Sequence, residues 1–439
     1  MRVVCIGGGY VGAVTAAALA SIGHRTTVID VDPVKVRMLN SGRSPIFEPG
    51  LDELLGRLAG RTLFADEGYD AVAEADVVFI CVGTPSRPDG TADLGYVKHA
   101  AAGIGSRLNS GRFTVIVDKS TVPVGTAELV ARIAEETSGL SRDKSFAVVS
   151  NPEFLREGSA LDDVFGADRI VVGTSSARAR RVMRRLYRGL LTEGTHYFET
   201  DARTAELIKY ASNAFLAIKI SYTNELARLS DALGANVSDL LRGMGMDSRI
   251  GNKFLEVSSG WSGSCFPKDL RELILTGRHY GSELMLAEAA VASNEEMLHY
   301  SVEKLKRRLR TLNGKRIGIL GLTFKPHTDD VRETQAATIV RQLLELGCEI
   351  LVHDPQGMSA FRKLHGGLDV RFCDRPEDVA RQAEAVVLLT HWPIYRELDW
   401  PSVRSAMRHP YLLDTRNFLP PAKMRKLGFV YEGMGNPIG

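Results

Sequence analysis

Three groups of residues in this chain have the types and spacing that chemistry requires. The first centres on Cys265, within Gly260-Trp261-Ser262-Gly263-Ser264-Cys265-Phe266-Pro267-Lys268-Asp269. Small residues precede the thiol and a Lys-Asp pair follows it. Pro267 suits the first position of a helix continuing through Leu270, Leu273 and Ile274, which puts Cys265 just before a helix N-terminus. Backbone N–H groups and the Lys268 ammonium there favour thiolate over thiol, and such settings lower a free-thiol pKa from about 8.5 to roughly 3.5–7.5. That is the profile of a nucleophile. A lone cysteine is more often a small buried hydrophobe, and the other four read that way. Cys5 and Cys81 lie in Val/Ile-rich runs, Cys348 precedes Glu349-Ile350-Leu351-Val352, and Cys373 follows Val370-Arg371-Phe372.

The second group is Gly7-Gly8-Gly9-Tyr10-Val11-Gly12, between the strand-like Arg2 to Ile6 and an Ala-rich helical stretch to about Ile22. Gly7 permits a tight turn, Gly9 lets backbone approach a pyrophosphate, and Gly12 allows close helix-strand packing. A second strand, Thr26 to Ile29, ends at Asp30, which can bond both ribose hydroxyls and repels a 2'-phosphate, so NAD is expected rather than NADP. Lys35, in the next helix start, reads by itself as surface charge.

The third group is spread over strand ends and one long helix. Thr84 follows the apolar run Asp76 to Val82, and Thr121 follows the strand Thr114 to Asp118, where ligands of doubly wound sheets bind; capping hydroxyls are the competing reading. The strand Ala147 to Ser150 runs into Asn151-Pro152-Glu153-Phe154-Leu155-Arg156-Glu157-Gly158, whose charged groups face either solvent or the cofactor crevice. Lys209 and Asn213 are four apart on one face of a helix expected over Asp201 to Leu233. Among apolar neighbours they need partners, either substrate or a structural carboxylate.

The elements that must position these groups follow from length and pattern. The 439 residues suggest two or three domains at roughly 150 residues each. The hydrophobic share of 44% supports full cores, and the formal charge of +2 gives no reason to expect nucleic-acid or membrane-surface binding. Arg178 to Arg188 and Lys304 to Arg310 read as solvated helix faces. Five dispersed cysteines without CxxC argue for a reducing compartment, and the start of the chain leaves no room for a signal peptide, so a soluble cytoplasmic protein is expected. No metal site is expected. After the Cys265 loop come helical stretches around Leu270 to Tyr280 and Ser282 to Arg310. A new strand and turn, Gly314 to Gly321, opens a second alternating region. It lacks a full GxGxxG, which argues against a second dinucleotide, and its loop Phe324 to Glu333 carries the charged groups. The expected fold class is α/β, with two Rossmann-like doubly wound domains joined by a long central helix and a helical middle domain. The expected boundaries are 1–200, 201–312 and 313–439.

Eight ordered segments together resemble the UDP-glucose/GDP-mannose 6-dehydrogenase family over essentially the whole chain. They are GGGYVG from Gly7, SPIFEPGL from Ser44, VGTP from Val82, STVPVGT from Ser120, NPEFLREGSA from Asn151, KYASNAFLAIKISYTNE from Lys209, CFPKDL from Cys265 and FKPHTDDVRET from Phe324. The resemblance implies oxidation of a nucleotide-sugar C6 alcohol to a carboxylate with two NAD per turnover, through a thiohemiacetal and a thioester on Cys265. It makes Lys209 and Asn213 oxyanion stabilisers, and Asp269, Glu153 and Thr121, the last through a water, candidates for moving protons. Gly7, Gly9, Tyr10, Val11, Gly12, Asp30, Lys35, Thr84, Thr121, Glu157, Lys268 and Arg332 match its NAD contacts. Glu153, Phe154, Leu155, Arg156, Lys209, Asn213, Phe254, Leu255, Glu256, Val257, Ser258 and Lys325 match its substrate contacts. Arg249 resembles an arginine that crosses a dimer interface, which implies a homodimer, and Arg416 is a weaker match.

One departure stands out: Ser262 occupies a position that is glycine in the usual loop, so the loop's dihedrals change or a hydroxyl contact is added. CFPKD and SPIFEPGL sit closer to the family's UDP-glucose branch. The alternatives are the same chemistry on GDP-mannose or a UDP-N-acetylhexosamine, a single-step 3-hydroxyacid-type dehydrogenase, and a non-catalytic nucleotide-sugar sensor.

Overall fold

The computed structural model describes residues 1–436. The chain divides into two compact units, Met1–Ser212 with Arg271–Thr276, and Asn213–Leu270 with Gly277 onward.

In the first unit, short runs rich in β-branched residues form eight strands: β1 (Arg2–Ile6), β2 (Arg25–Ile29), β3 (Leu63–Asp66), β4 (Val77–Ile80), β5 (Thr114–Asp118), β6 (Phe146–Ser150), β7 (Arg169–Gly173) and β8 (His196–Thr200). Their order is β3-β2-β1-β4-β5-β6-β7-β8. All neighbours are parallel except β6 and β7, which meet antiparallel at Ser150 and Gly173. Strand β4 is fully buried, as a parallel strand covered on both faces should be. Alternate residues serve opposite faces. Val3, Cys5, Val77, Phe79, Val115 and Val117 share a core with the Ala-rich helix Tyr10–Ser21. Val4, Ile6, Val78, Ile80 and Ile116 pack with residues of the helices Gly95–Gly105 and Thr126–Ser138. The strand order reverses between β1 and β4, and their carboxyl ends flank the switch point where ligands of such sheets bind.

The second unit carries β9 (Arg316–Leu320), β10 (Glu349–His353), β11 (Val370–Phe372), β12 (Ala385–Leu388), β13 (Tyr411–Asp414) and β14 (Val430–Gly433), in the order β11-β10-β9-β12-β13-β14. Every pairing is parallel, with a switch point between β9 and β12. Two doubly wound sheets were expected, and two are present.

The long helix spans Ala202–Leu233, 32 residues, roughly 48 Å at 1.5 Å per residue. It begins in the first unit and ends in the second. The helix after the cysteine starts at Phe266 rather than Pro267. Proline is tolerated anywhere in a first turn, where its missing N–H has no intrahelical partner to lose.

A buried ion cluster holds the second unit together. Lys304, on the helix Met285–Leu309, lies 2.7 Å from Asp231 and 2.8 Å from Glu432. The hydroxyls of Tyr300 and Tyr411 donate to the same two carboxylates, both at 2.7 Å. The expected solvated face from Lys304 is therefore wrong at its first residue, because β14 and the long helix cover it. Lys304→Met leaves two carboxylates facing each other without their cation, and should lower the urea-unfolding free energy by about 3–5 kcal/mol. Lys306→Met, which removes an exposed pair with Glu303, should change it by less than about 1 kcal/mol.

Candidate active site

The glycine turn after β1 has the form a dinucleotide needs. A Cβ on Gly12 would lie 1.7 Å from the Gly7 carbonyl oxygen, so the helix Tyr10–Ser21 can approach the turn only with glycine there. A Cβ on Gly9 would meet nothing within 4 Å, which leaves the turn's outer side open. Among the described residues Gly9 makes no side-chain cap and no acid lies in the first turn of this helix, so its positive end suits a pyrophosphate. Asp30 is buried; it accepts from Gly8 N at 2.7 Å and Asp32 N at 2.9 Å, and Lys35 Nζ is 3.6 Å from it. These residues fit NAD, with the Asp30 carboxylate held in place at the end of β2. Tyr10 donates to the Phe47 carbonyl at 2.8 Å, tying the turn to the Ser44–Leu51 loop.

The neighbouring strand ends bring further groups together. Thr84, after β4, donates to the Thr121 carbonyl after β5 at 2.8 Å, so its hydroxyl does serve a local bond. Glu153, after β6, is buried and accepts from Lys209 Nζ at 2.9 Å and from Leu155 N at 2.5 Å. Burial pushes its carboxyl up, but the Lys209 ammonium and these bonds outweigh burial and hold it below the usual glutamate range. The Phe154 ring lies 5.5 Å from Lys209 Nζ and carries the Arg169 guanidinium at 3.9 Å. Arg156 is committed to Asp163, at 2.6 Å.

In the second unit, Cys265 is exposed while the other four cysteines are buried. Its loop is gripped from two sides. Asn294 accepts from Trp261 N at 2.7 Å and donates to Trp261 O at 3.0 Å, and the indole donates to Ser221 at 2.9 Å. At Gly263 (φ +86) a Cβ would lie 2.7 Å from the Phe324 ring. The Ser264 hydroxyl is 3.7 Å from the thiol sulfur. Asp269, 1% exposed, accepts from Asn213 at 2.6 Å and Lys268 at 2.6 Å. The Lys268 ammonium is thus paired with the carboxylate that follows it. Lys209 and Asn213 each have a carboxylate partner, Glu153 and Asp269.

Ser262 has no positive φ, so serine there is not held in a strained backbone, and its buried hydroxyl has no hydrogen-bond partner among the described residues. In the loop 254–258, Leu255 and Val257 belong to a core with Ala227, Val237 and Met297, so only their backbone remains for a ligand. Phe254 has φ +62, and Glu256 is exposed. Ser258 N donates to Asn224 at 2.9 Å. Lys219 holds the start of this loop by donating to the Ile250 and Lys253 carbonyls. Arg249 is 87% exposed and pairs with Asp247 at 2.6 Å. Lys325 lies 5.3 Å from the Phe324 ring centre, and Arg332 is paired with Asp330 at 2.7 Å. Arg416, half-buried, donates to the Leu389 and Phe324 carbonyls at 2.9 and 3.2 Å. Burial pulls its guanidinium down to about 10.

Sequence reasoning missed the carboxylates that set the loops. Glu48 accepts from Gly158 N and Ala160 N, both at 2.7 Å. Glu206 accepts from Gly125 N at 2.6 Å and Ala127 N at 2.8 Å. Each caps a helix start from a distant segment; no local spacing announces such a cap. Glu157 lies beside Gly158, which Glu48 fixes.

An NAD-type turn at the switch point of one doubly wound sheet, with an exposed cysteine elsewhere in the chain, defines a dehydrogenase class. Residues 1–191, 203–296 and 318–421 match, in turn, the NAD binding, central and UDP binding domains of the UDP-glucose/GDP-mannose dehydrogenase family. The chain belongs to that family. It is 45% identical to a UDP-glucose 6-dehydrogenase of Rhizobium meliloti (strain 1021) over 444 residues, covering 100% of each. Among solved structures, a UDP-glucose dehydrogenase from Pyrobaculum islandicum superposes with a TM-score of 0.91 at 42% identity, covering 99% of this chain and 97% of that one. A UDP-D-ManNAc dehydrogenase from Pyrococcus horikoshii gives 0.86 at 27% identity, covering 99% of each.

Proposed function

We propose that this chain oxidises the C6 alcohol of UDP-glucose to the carboxylate of UDP-glucuronate. The observation that carries the reading is Cys265, the exposed thiol among four buried ones, in a loop clamped by Asn294 and Phe324. NAD, when bound at the glycine turn, accepts one hydride in each of two oxidations, so one alcohol, two NAD and one water give one carboxylate, two NADH and three protons. Cys265 Sγ bonds to the aldehyde carbon, holding it as a thiohemiacetal. After the second oxidation the carbon is a thioester, and water displaces Sγ as thiolate. Lys209 and Asn213 stabilise the oxyanions. Proton transfers fall to Glu153, Asp269 and, through a water, Thr121; Glu153, held below the usual glutamate range, is ionised at neutral pH. On this reading residues 1–200 hold NAD, 201–312 carry the thiol, and 313–439 hold the uridine nucleotide, with Lys325 as one contact. The higher identity to UDP-glucose enzymes than to the UDP-D-ManNAc enzyme supports the choice of sugar. A panel of nucleotide sugars with NAD tests it: NADH should form with UDP-glucose, and turnover of only GDP-mannose or a UDP-N-acetylhexosamine would contradict it.

We further propose a homodimer in the cytoplasm. Phe215, Tyr222 and Leu229 stand 63%, 51% and 53% exposed at seven-residue intervals on the long helix, the spacing of a seam covered by another helix. Arg249, also exposed, would complete the partner's substrate site. Phe215→Glu with Tyr222→Glu should give monomers in analytical ultracentrifugation, with kcat falling in step; an active monomer would contradict the shared site.

A further inference from the structure

Lys119, the residue after β5, is a buried cation that the mechanism above leaves unused. Its Nζ donates to Asn151 Oδ1 at 3.2 Å and lies 3.5 Å from the Tyr187 hydroxyl. That hydroxyl donates to the same Oδ1, while Asn151 Nδ2 donates to the Val171 carbonyl at 2.6 Å. Asn151 N also donates to the Asp118 carbonyl at 2.9 Å. Asn151 thus has both its backbone and its amide fixed, and it opens the loop that holds Glu153 two residues on. Among the described residues, no carboxylate pairs with Lys119 within 4 Å. An ammonium buried without a contacting counter-ion costs stability, and such groups concentrate at functional sites.

The charged and titratable groups facing Lys119 come from five elements. They are Cys5 on β1, Cys81 after β4, Glu153 after β6, Tyr187 on the helix Ala177–Tyr187, and Lys209 on the long helix. Reciprocally, Lys119 is one of the charges that keep Glu153 ionised, behind Lys209. We propose that Lys119 is a positioning residue for the reaction: its buried ammonium, locked to Asn151 and Tyr187, sets both the place and the charge of Glu153, and so of the Glu153–Lys209 pair. The inference rests on the function proposed above in taking Glu153 as a participant.

Burial, opposed mainly by Glu153, pulls the Lys119 ammonium down to about 8. The cation is present below that pH and lost above it, so activity that depends on it falls as pH rises through 8. A guanidinium does not titrate there. The test is the kcat–pH profile of the full chain with UDP-glucose and NAD for the wild type, Lys119→Arg and Lys119→Met. The wild type should lose kcat with a midpoint near 8. Lys119→Arg should keep at least a third of the plateau while its alkaline limb moves up by a pH unit or more. Lys119→Met should lose at least tenfold in kcat, with KM for NAD within twofold and a melting temperature no lower than wild type. That last pair of readouts separates positioning from mere structural support.

An alkaline limb in Lys119→Arg that coincides with the wild type's would overturn the proposal, as would a fully active Lys119→Met. If Lys119→Met does not fold, the Lys119→Arg limb alone decides. Wild-type turnover of a different nucleotide sugar would revise the substrate, and the three profiles would then be compared on that sugar.

Discussion

Cys265→Ala is expected to lower formation of the sugar carboxylate by more than about 10³-fold, the scale on which removal of a nucleophile acts, while NAD binding is unchanged. The two effects separate because the dinucleotide turn is built from β1, its glycines and Asp30, none of which uses the thiol. The variant should still form aldehyde, with at most one NADH per sugar, because the first oxidation needs a base and a hydride acceptor but no sulfur. Without Sγ the aldehyde carbon is not held for a second oxidation. Its fold should be intact, since the side chain is exposed and Asn294 grips the loop through the Trp261 backbone. Mass spectrometry of the sugar product, with NADH read in parallel, checks both halves; normal carboxylate yield from Cys265→Ala would remove the thiol from the mechanism.

Lys209→Met carries the second large effect, in kcat and in stability together. Lys209 and Glu153 form a pair 2.9 Å apart, with side chains 6% and 7% exposed. Removing the cation leaves a buried carboxylate without its main partner, which should cost about 3–5 kcal/mol in denaturant unfolding at neutral pH. Loss of the charge proposed to stabilise the oxyanions should lower kcat by about 10²–10³. The pH sign is fixed by the direction of the Glu153 shift. A carboxyl held below its usual range contributes stability above that range, and the contribution is lost as pH falls through the lowered folded value. In Lys209→Met burial acts unopposed by its strongest counter-charge, so Glu153 takes its proton at higher pH, and the stability gap from wild type should shrink as pH falls from neutral into the usual carboxylate range. Denaturant titrations at pH 4 and pH 7 would show this; a gap independent of pH would mean that the pair contributes no charge–charge stabilisation.

The contrast between what sequence disclosed and what it hid is physical. Elements whose signals are local were legible. The apolar runs gave β1, β4 and β5, Gly7 and Gly12 marked the turn, and the absence of Gly or Pro from Asp201 to Leu233 gave the long helix to within a residue. Strands β7 and β8 were not anticipated, and neither was the antiparallel junction at Ser150 and Gly173. β8 is a sheet-edge strand with half-exposed residues, so it carries none of the buried apolar run that reveals a central strand. In the candidate site, Cys265, Lys209 and Asn213 were visible from residue type and spacing. Their partners were not: Glu153 lies 56 residues from Lys209, and Asp269 lies 56 from Asn213. Lys268 is paired with the carboxylate next to it in sequence, where a charged hydrogen bond is strong. Lys119 gave no signal at all, since it becomes unusual only through its burial.

The central claim is that one thiol holds a substrate through two oxidations at one enzyme. The NADH formed per UDP-glucose consumed tests it most directly. The account predicts two NADH per sugar for the wild type and at most one for Cys265→Ala. One NADH per sugar in the wild type, unchanged by loss of Cys265, would contradict it.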